Sequence, residues 1–344
     1  MIDADYLLAR LIDLVKTPSP VGMTERAVAL VDTWLRDLGY LPSYTRRGVL
    51  SVAVGEGAPR RALAAHLDTL GAMVTELKPN GRLALRNTGT WAARFAEGAR
   101  VTIFSDYAEH RGTILPLKAS GHRYNIEVDT QPADWDNLEI RVDAILADRE
   151  ALIAAGFHVG DMVAIDAQPE IVDGFIVSRH LDDKAGCATL LAVLKAIAEG
   201  KVKVAEPFQA MFTIAEEIGI GGTHGFGPEV EELLAIDNAV TAPNQTSRDG
   251  AVTIAMRDRQ GPFDARMIRQ MLTVCERDGI ACERDTFRHY RSDSAAAIEA
   301  GWDLRVGLVC FSLDSSHGWE RTHMASLLEL GRLIAGYLQT PISD

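Results

Sequence analysis

An apolar run at residues 208–215 ends in two adjacent carboxylates, Glu216 and Glu217, followed by the turn Ile218-Gly219-Ile220-Gly221-Gly222. Neighbouring side chains on an extended strand point to opposite faces, so burying both acids is expensive unless each is paired or bound to a cation. At the end of a strand, one acid can face a metal and the other a bound water. Taken alone, the pair is better read as a strand that stops at a solvated loop, because acidic residues usually stay exposed. The rest of the chain weighs against that second reading.

With 344 residues, the chain is long enough for two domains or for one large domain with an insertion. A formal net charge of −13 and the lack of a basic stripe exclude general nucleic-acid binding. The acidic start, Met1-Ile2-Asp3-Ala4-Asp5, lacks the basic region of a signal peptide, and no apolar stretch is long enough to span a bilayer. Four scattered cysteines (Cys187, Cys275, Cys282 and Cys310) form no CxxC pair and read as reduced thiols of a cytoplasmic protein.

Residues 6–15 have helical periodicity and stop before Pro18, and a second helix runs from Thr24-Glu25 to Gly39. Residues 49–54 and 61–67 read as strands, the second apolar enough for a central parallel position. It ends in Ala65-His66-Leu67-Asp68, which puts an imidazole and a carboxylate on one side of the backbone at a strand's C-terminal end. Open α/β sheets place their ligands at such ends. From residue 71 to about 167 the pattern changes to short alternating segments separated by Gly, Asn and Asp turns, which predicts an inserted, β-barrel-like domain. The expected division is a catalytic part at 1–70 and 168–344 with the insert at 71–167.

The α/β pattern resumes with a strand from Phe175, and Leu181-Asp182-Asp183-Lys184-Ala185-Gly186 opens an apolar helix. Acids in that position also serve as helix caps. Asp237 lies inside an otherwise apolar strand at 234–240 and needs a partner. Residues 251–256 and 304–311 read as strands, 264–278 and 293–300 as helices, 313–321 as a polar loop, and 324–338 as the final helix. The fold class is thus α/β, a mixed sheet sandwiched by helices with a small inserted barrel. His66, Asp68, Asp182, Glu216, Glu217, Asp237 and His323 all fall at or near strand ends or strand–helix junctions. A mixed N/O set of this kind suits Zn²⁺, Co²⁺ or Mn²⁺. So many acids favour two metals sharing a carboxylate, with a further free carboxylate to move protons.

These motifs, with Glu216-Glu217-Ile218-Gly219, Ile236-Asp237 and Arg321-Thr322-His323, resemble in order and spacing the glutamyl-aminopeptidase or tetrahedral (TET) aminopeptidase family. The resemblance covers nearly the whole chain, and Val159-Gly160-Asp161-Met162-Val163 looks like the close of that family's inserted β domain. It implies a cytosolic enzyme with two divalent ions per chain, Zn²⁺ first, acting on short peptides. Asp182 would bridge the ions, His66 and Asp237 would complete one site, and Glu217 and His323 the other. Glu216 would be the general base, with Asp68 orienting His66. The inserted domain would mediate homo-oligomerisation, from a dimer up to a tetrahedral dodecamer.

The chain departs from the family pattern at Thr69, where an acid is usual, and at His323-Met324-Ala325, where the family's histidine is followed by Ser. The stretch 313–320 is also unusual, and its His317 competes with His323 as a ligand; the place of His323 just before the last helix favours it. These changes bear on substrate choice more than on metal chemistry. They resemble a divergent branch linked to an acetylated glutamine-dipeptide osmolyte, so the alternative is a deacylase or amidase acting on a small N-acylated dipeptide. A non-catalytic peptide-binding homologue would be expected to lack ligands, and none is missing. No GxSxG elbow, P-loop or GxGxxG motif is present.

Overall fold

A computed structural model describes residues 2–342. Its main sheet has eight strands in the order Ser43–Tyr44, Leu50–Val54, Phe208–Thr213, Arg61–His66, Glu232–Val240, Arg305–Leu313, Val252–Arg257 and Cys282–Thr286. The four strands from Phe208–Thr213 to Arg305–Leu313 are parallel, and Arg61–His66 lies between two of them. Burial on both faces explains why these strands are almost wholly apolar. Leu63 and Ala65 face one core cluster, with Leu234 and Ile236, while Ala62, Ala64 and Leu233 face another. His66 follows Ala64 by two residues and Asp237 follows Ala235 by two, and Ala64 pairs with Ala235. The period of two therefore brings both groups to the same face at the same end of the sheet.

The helix Leu181–Ala198 is buried along nearly its whole length, beneath the helices Ala4–Lys16 and Met324–Leu338. It is apolar all round because neighbours cover every side. Six strands between Gly71 and Ile165 close into an antiparallel barrel. The barrel has its own core, which includes Ile103, Ile114, Ile140, Leu152 and Phe157.

Some placements differ from the sequence reading. Phe175–Ser178 does not join the main sheet; it pairs with Glu170–Val172 and Glu320–His323 in a separate three-stranded sheet. A short run of mixed burial carries no mark of which sheet it enters. Cys282–Thr286, unforeseen, is the last strand of the main sheet, and its charged sequence fits an edge with one neighbour. No helix among the described residues is long and apolar enough to cross a membrane.

Candidate metal centre

His66 is the last residue of its strand, and its backbone N–H donates to Asp183 Oδ2 at 3.1 Å. Its Nδ1 lies 3.0 Å from the Asp68 carbonyl oxygen. That oxygen can only accept, so Nδ1 carries the hydrogen and Nε2 is left to bind something else. Nε2 points at Asp182 Oδ1, 3.2 Å away. Asn238 Nδ2 donates to Asp182 Oδ2 at 2.9 Å and to Asp237 Oδ1 at 3.1 Å, tying the two acids together. His66, Asp182 and Asp237 bring one ligand atom each to within 4.8 Å of one another.

Asp182 also belongs to a second group, with Glu217 and His317, in which the ligand atoms again lie within 4.8 Å. His317 Nδ1 faces the Thr90 carbonyl oxygen at 2.7 Å, so its Nε2 is freed in the same way as that of His66. That nitrogen is 3.3 Å from Asp182 Oδ2 and 3.6 Å from Glu217 Oε2. Two three-residue groups thus share one carboxylate. Glu216 belongs to neither, and its Oε2 stands 3.9 Å from His66 Nε2.

His323, preferred from sequence, is elsewhere. Its Nδ1 accepts from the Ala325 N–H at 3.1 Å, capping the final helix, and its ring meets Phe175 edge-on at 4.8 Å. A histidine just before a helix is in a capping position, and here it caps. The loop between Arg305–Leu313 and Glu320–His323 carries His317 back over Asp182 instead.

Asp68 stands beside His66, with its Oδ1 3.6 Å from His66 Nδ1. Its backbone carbonyl orients His66, while its carboxylate accepts the N–H groups of Glu216 and Glu217, both at 3.1 Å. It therefore fixes the turn that carries the two acids. Two supporting acids were not read from the sequence. Glu320 accepts from the N–H groups of Leu181, Asp182 and His317, at 2.7, 3.2 and 2.9 Å. Asp293 accepts from the Thr213 hydroxyl at 2.6 Å and the Gly222 N–H at 2.7 Å. A Cβ on Gly221 or Gly222 would come within 2.3 Å of Asp293 atoms, which accounts for the paired glycines. The only available signal was that buried acids and glycine pairs need partners.

A family model for M42 glutamyl aminopeptidases matches residues 48–333. The chain belongs to the M42 glutamyl aminopeptidase family. It is a metal-dependent hydrolase that removes N-terminal residues from peptides. The chain is 34% identical to YhfE of Bacillus subtilis, a protein assigned as an aminopeptidase, across 96% of each chain. Its fold is similar to that of a TET aminopeptidase from the archaeon Thaumarchaeota archaeon SCGC AB-539-E09, with a TM-score of 0.88 at 14% identity over 97% and 96% of the two chains. It is also similar to the TET1 peptidase of Pyrococcus horikoshii, which assembles into a tetrahedron or a large octahedral shell. That match has a TM-score of 0.85 at 20% identity, over 96% of this chain and 99% of the other.

The charges of this M42 aminopeptidase fit a cationic occupant. Burial and the Asp182 charge push Glu217 up to about 8 and Asp237 up to about 7. Burial also raises Glu216 well above the usual carboxylate range, helped by Asp237, Asp293 and Glu217. Against their own burial, both imidazoles are pushed up by the surrounding carboxylates, His317 to about 10. Asp182 alone is held low, by the hydrogen bonds of His317 and His66, which outweigh its burial. Protons on the two imidazoles partly offset a surplus of buried negative charge that divalent cations would offset more fully. His180 has no such role: burial pushes it down to about 3, and its Nε2 lies 3.0 Å from the Ile165 carbonyl oxygen.

Proposed function

We propose that this enzyme hydrolyses the first peptide bond of short, free-amine peptides with two divalent cations per chain, Zn²⁺ being the best match to the donors. The reading rests on one observation: two donor groups share Asp182 while a carboxylate with its side chain 11% exposed, Glu216, remains outside both. His66 and Asp237 would hold one ion, Glu217 and His317 the other, and Asp182 both. The ions would supply Lewis acidity to the scissile carbonyl and increase the acidity of a water. Glu216 takes the proton from the attacking water and returns it to the leaving amine. Asp68 and Glu320 keep the turn and the ligand loops in place through backbone N–H groups. The loop 314–319, which carries His317, borders the site where substrate choice is made.

The inserted barrel serves homo-oligomerisation in this reading. Tyr107, Ile145 and Val159 on it are 95, 102 and 66% exposed, as suits residues awaiting a second copy. Four free cysteines accord with residence in the cytoplasm. The test is a panel of dipeptides, each assayed free and N-acetylated, before and after chelation. Cleavage of free-amine dipeptides that is lost on chelation and restored by Zn²⁺, Co²⁺ or Mn²⁺ is expected. Cleavage confined to the acetylated forms would replace the aminopeptidase reading with a deacylase.

A further inference from the structure

Two of the four cysteines are brought together far from each other's secondary structure. Cys275 lies in the last turn of the helix Ala265–Asp278, and Cys282 is the first residue of the edge strand Cys282–Thr286. Gly279 ends the helix in the left-handed region, at φ +61°, and the N–H groups of Gly279 and Ile280 both donate to the Cys275 carbonyl. That reversal returns the chain to Cys275 just two residues before Cys282. Both thiols are free, and the half-buried Cys282 packs against the core cluster that contains Cys275. Burial raises the Cys275 thiol above its usual range, and the charge of Cys282 and a hydrogen bond between the two thiols add to it.

Both side chains line one open cleft of about 760 Å³ between the helix and the strand. Its charged lining is Arg269, Arg284, Glu276 and Glu283. Glu283 is taken by Arg248, whose Nε stands 2.6 Å from its carboxylate. That leaves two guanidiniums against one carboxylate, a local positive surplus on a chain of net charge −13. The other two cysteines have no such access: Cys187 and Cys310 are 0% exposed, and Cys187 Sγ donates to the His66 carbonyl at 3.1 Å.

We propose that Cys275 and Cys282 are a reversible modification site, at which a small anionic disulfide of the glutathione type converts the two thiols into an intramolecular disulfide. The ligand's carboxylates match the surplus guanidinium charge of the cleft. Cys282, the more accessible thiol, loses its proton to solvent and attacks the ligand's S–S bond, and one glutathione thiolate leaves. Cys275 then loses its proton, attacks the Cys282 sulfur and displaces the second glutathione thiolate. Each departing thiolate takes up one proton. Two protein thiols are thereby oxidised and one glutathione disulfide is reduced to two thiols, with no other oxidant consumed. The new bond ties the end of the helix to the start of the edge strand, and neither sulfur belongs to the candidate metal centre.

The experiment equilibrates Zn²⁺-loaded protein in mixtures of reduced and oxidised glutathione, quenches with acid, alkylates the remaining thiols and maps the peptides by mass spectrometry. The expected wild-type product joins the peptides of Cys275 and Cys282, lighter by two hydrogens, with no glutathione retained and with Cys187 and Cys310 alkylated. Excess reduced glutathione should reverse it. Cys275→Ser should hold one glutathione on Cys282, and Cys282→Ser should leave Cys275 unmodified. The wild-type reaction should be about tenfold faster with glutathione disulfide than with the uncharged bis(2-hydroxyethyl) disulfide, a gap that Arg269→Ala with Arg284→Ala closes. No joined peptide at any glutathione ratio would overturn the proposal, and that wild-type result does not depend on whether a variant folds. A glutathione adduct that persists on wild-type Cys282 would remove Cys275 from the site. Equal wild-type rates with the two disulfides would overturn the choice of an anionic ligand.

Discussion

The same two strands carry buried charge at both ends, and the ends are built on opposite principles. Where the strands begin, Arg61 and Glu232 are register partners, each with a side chain 1% exposed and with Arg61 Nε 2.9 Å from Glu232 Oε2. Tyr337 donates to that same oxygen at 2.6 Å, Arg305 Nη2 lies 3.2 Å from Glu232 Oε1, and Arg61 donates to the Tyr337 and Thr340 carbonyls. Five residues further along each strand stand His66 and Asp237. There Asp182, Asp237, Glu216 and Glu217 face only two imidazoles, and three of these four acids are pushed upward. The first end is neutralised by its own chain and closes the C-terminal helix onto the sheet. The second end is not, and the difference separates a structural ion pair from a site that requires a cation.

Breaking each end should give a different signature. The largest effect is expected from Glu216→Gln, which under the proposed function removes the proton carrier and no ligand. Its kcat should fall by about 10²–10⁴-fold, with metal content by elemental analysis unchanged. At the other end, Glu232→Gln leaves the Arg61 guanidinium with half its partner. A loss of about 3–5 kcal/mol in urea unfolding is expected there, with metal content and kcat under native conditions retained.

A smaller effect sharpens the contrast through pH. In the metal-free protein, Asp237, Glu217 and His317 all bind protons more tightly folded than unfolded. The stabilisation from such raised groups is complete at acidic pH and is lost as pH rises through their folded values. For Asp237 and Glu217 those values are about 7 and about 8. The melting temperature of chelated protein should therefore fall between about pH 5 and pH 8, and added Zn²⁺ should raise it most at the alkaline end. A chelated protein that grows more stable over that range would contradict the charge surplus.

Much of this was legible in the sequence, for physical reasons. Central parallel strands are apolar runs, and an acid or histidine that interrupts or ends one, as Asp237 and His66 do, stands out. The texture of the inserted barrel was readable for the same reason, since period-two alternation and turn residues are local signals. What was lost depends on contacts between distant segments. His317 reaches Asp182 only because the strand Glu320–His323 pairs with Phe175–Ser178 and folds the polar loop back over the site. Nothing local distinguished it from His323, whose place before a helix suited a ligand and a cap equally. Glu320 and Asp293 act through backbone N–H groups of other segments, which no local pattern announces.

The central claim is a pair of cation sites sharing Asp182, with His317 and not His323 completing the second. Elemental analysis of purified protein dialysed against trace Zn²⁺ tests it most directly, on wild type, His317→Ala and His323→Ala. Two ions per chain in the wild type, one in His317→Ala and two in His323→Ala are expected. A wild type with no more than one ion, or a second ion lost with His323 and kept without His317, would contradict it.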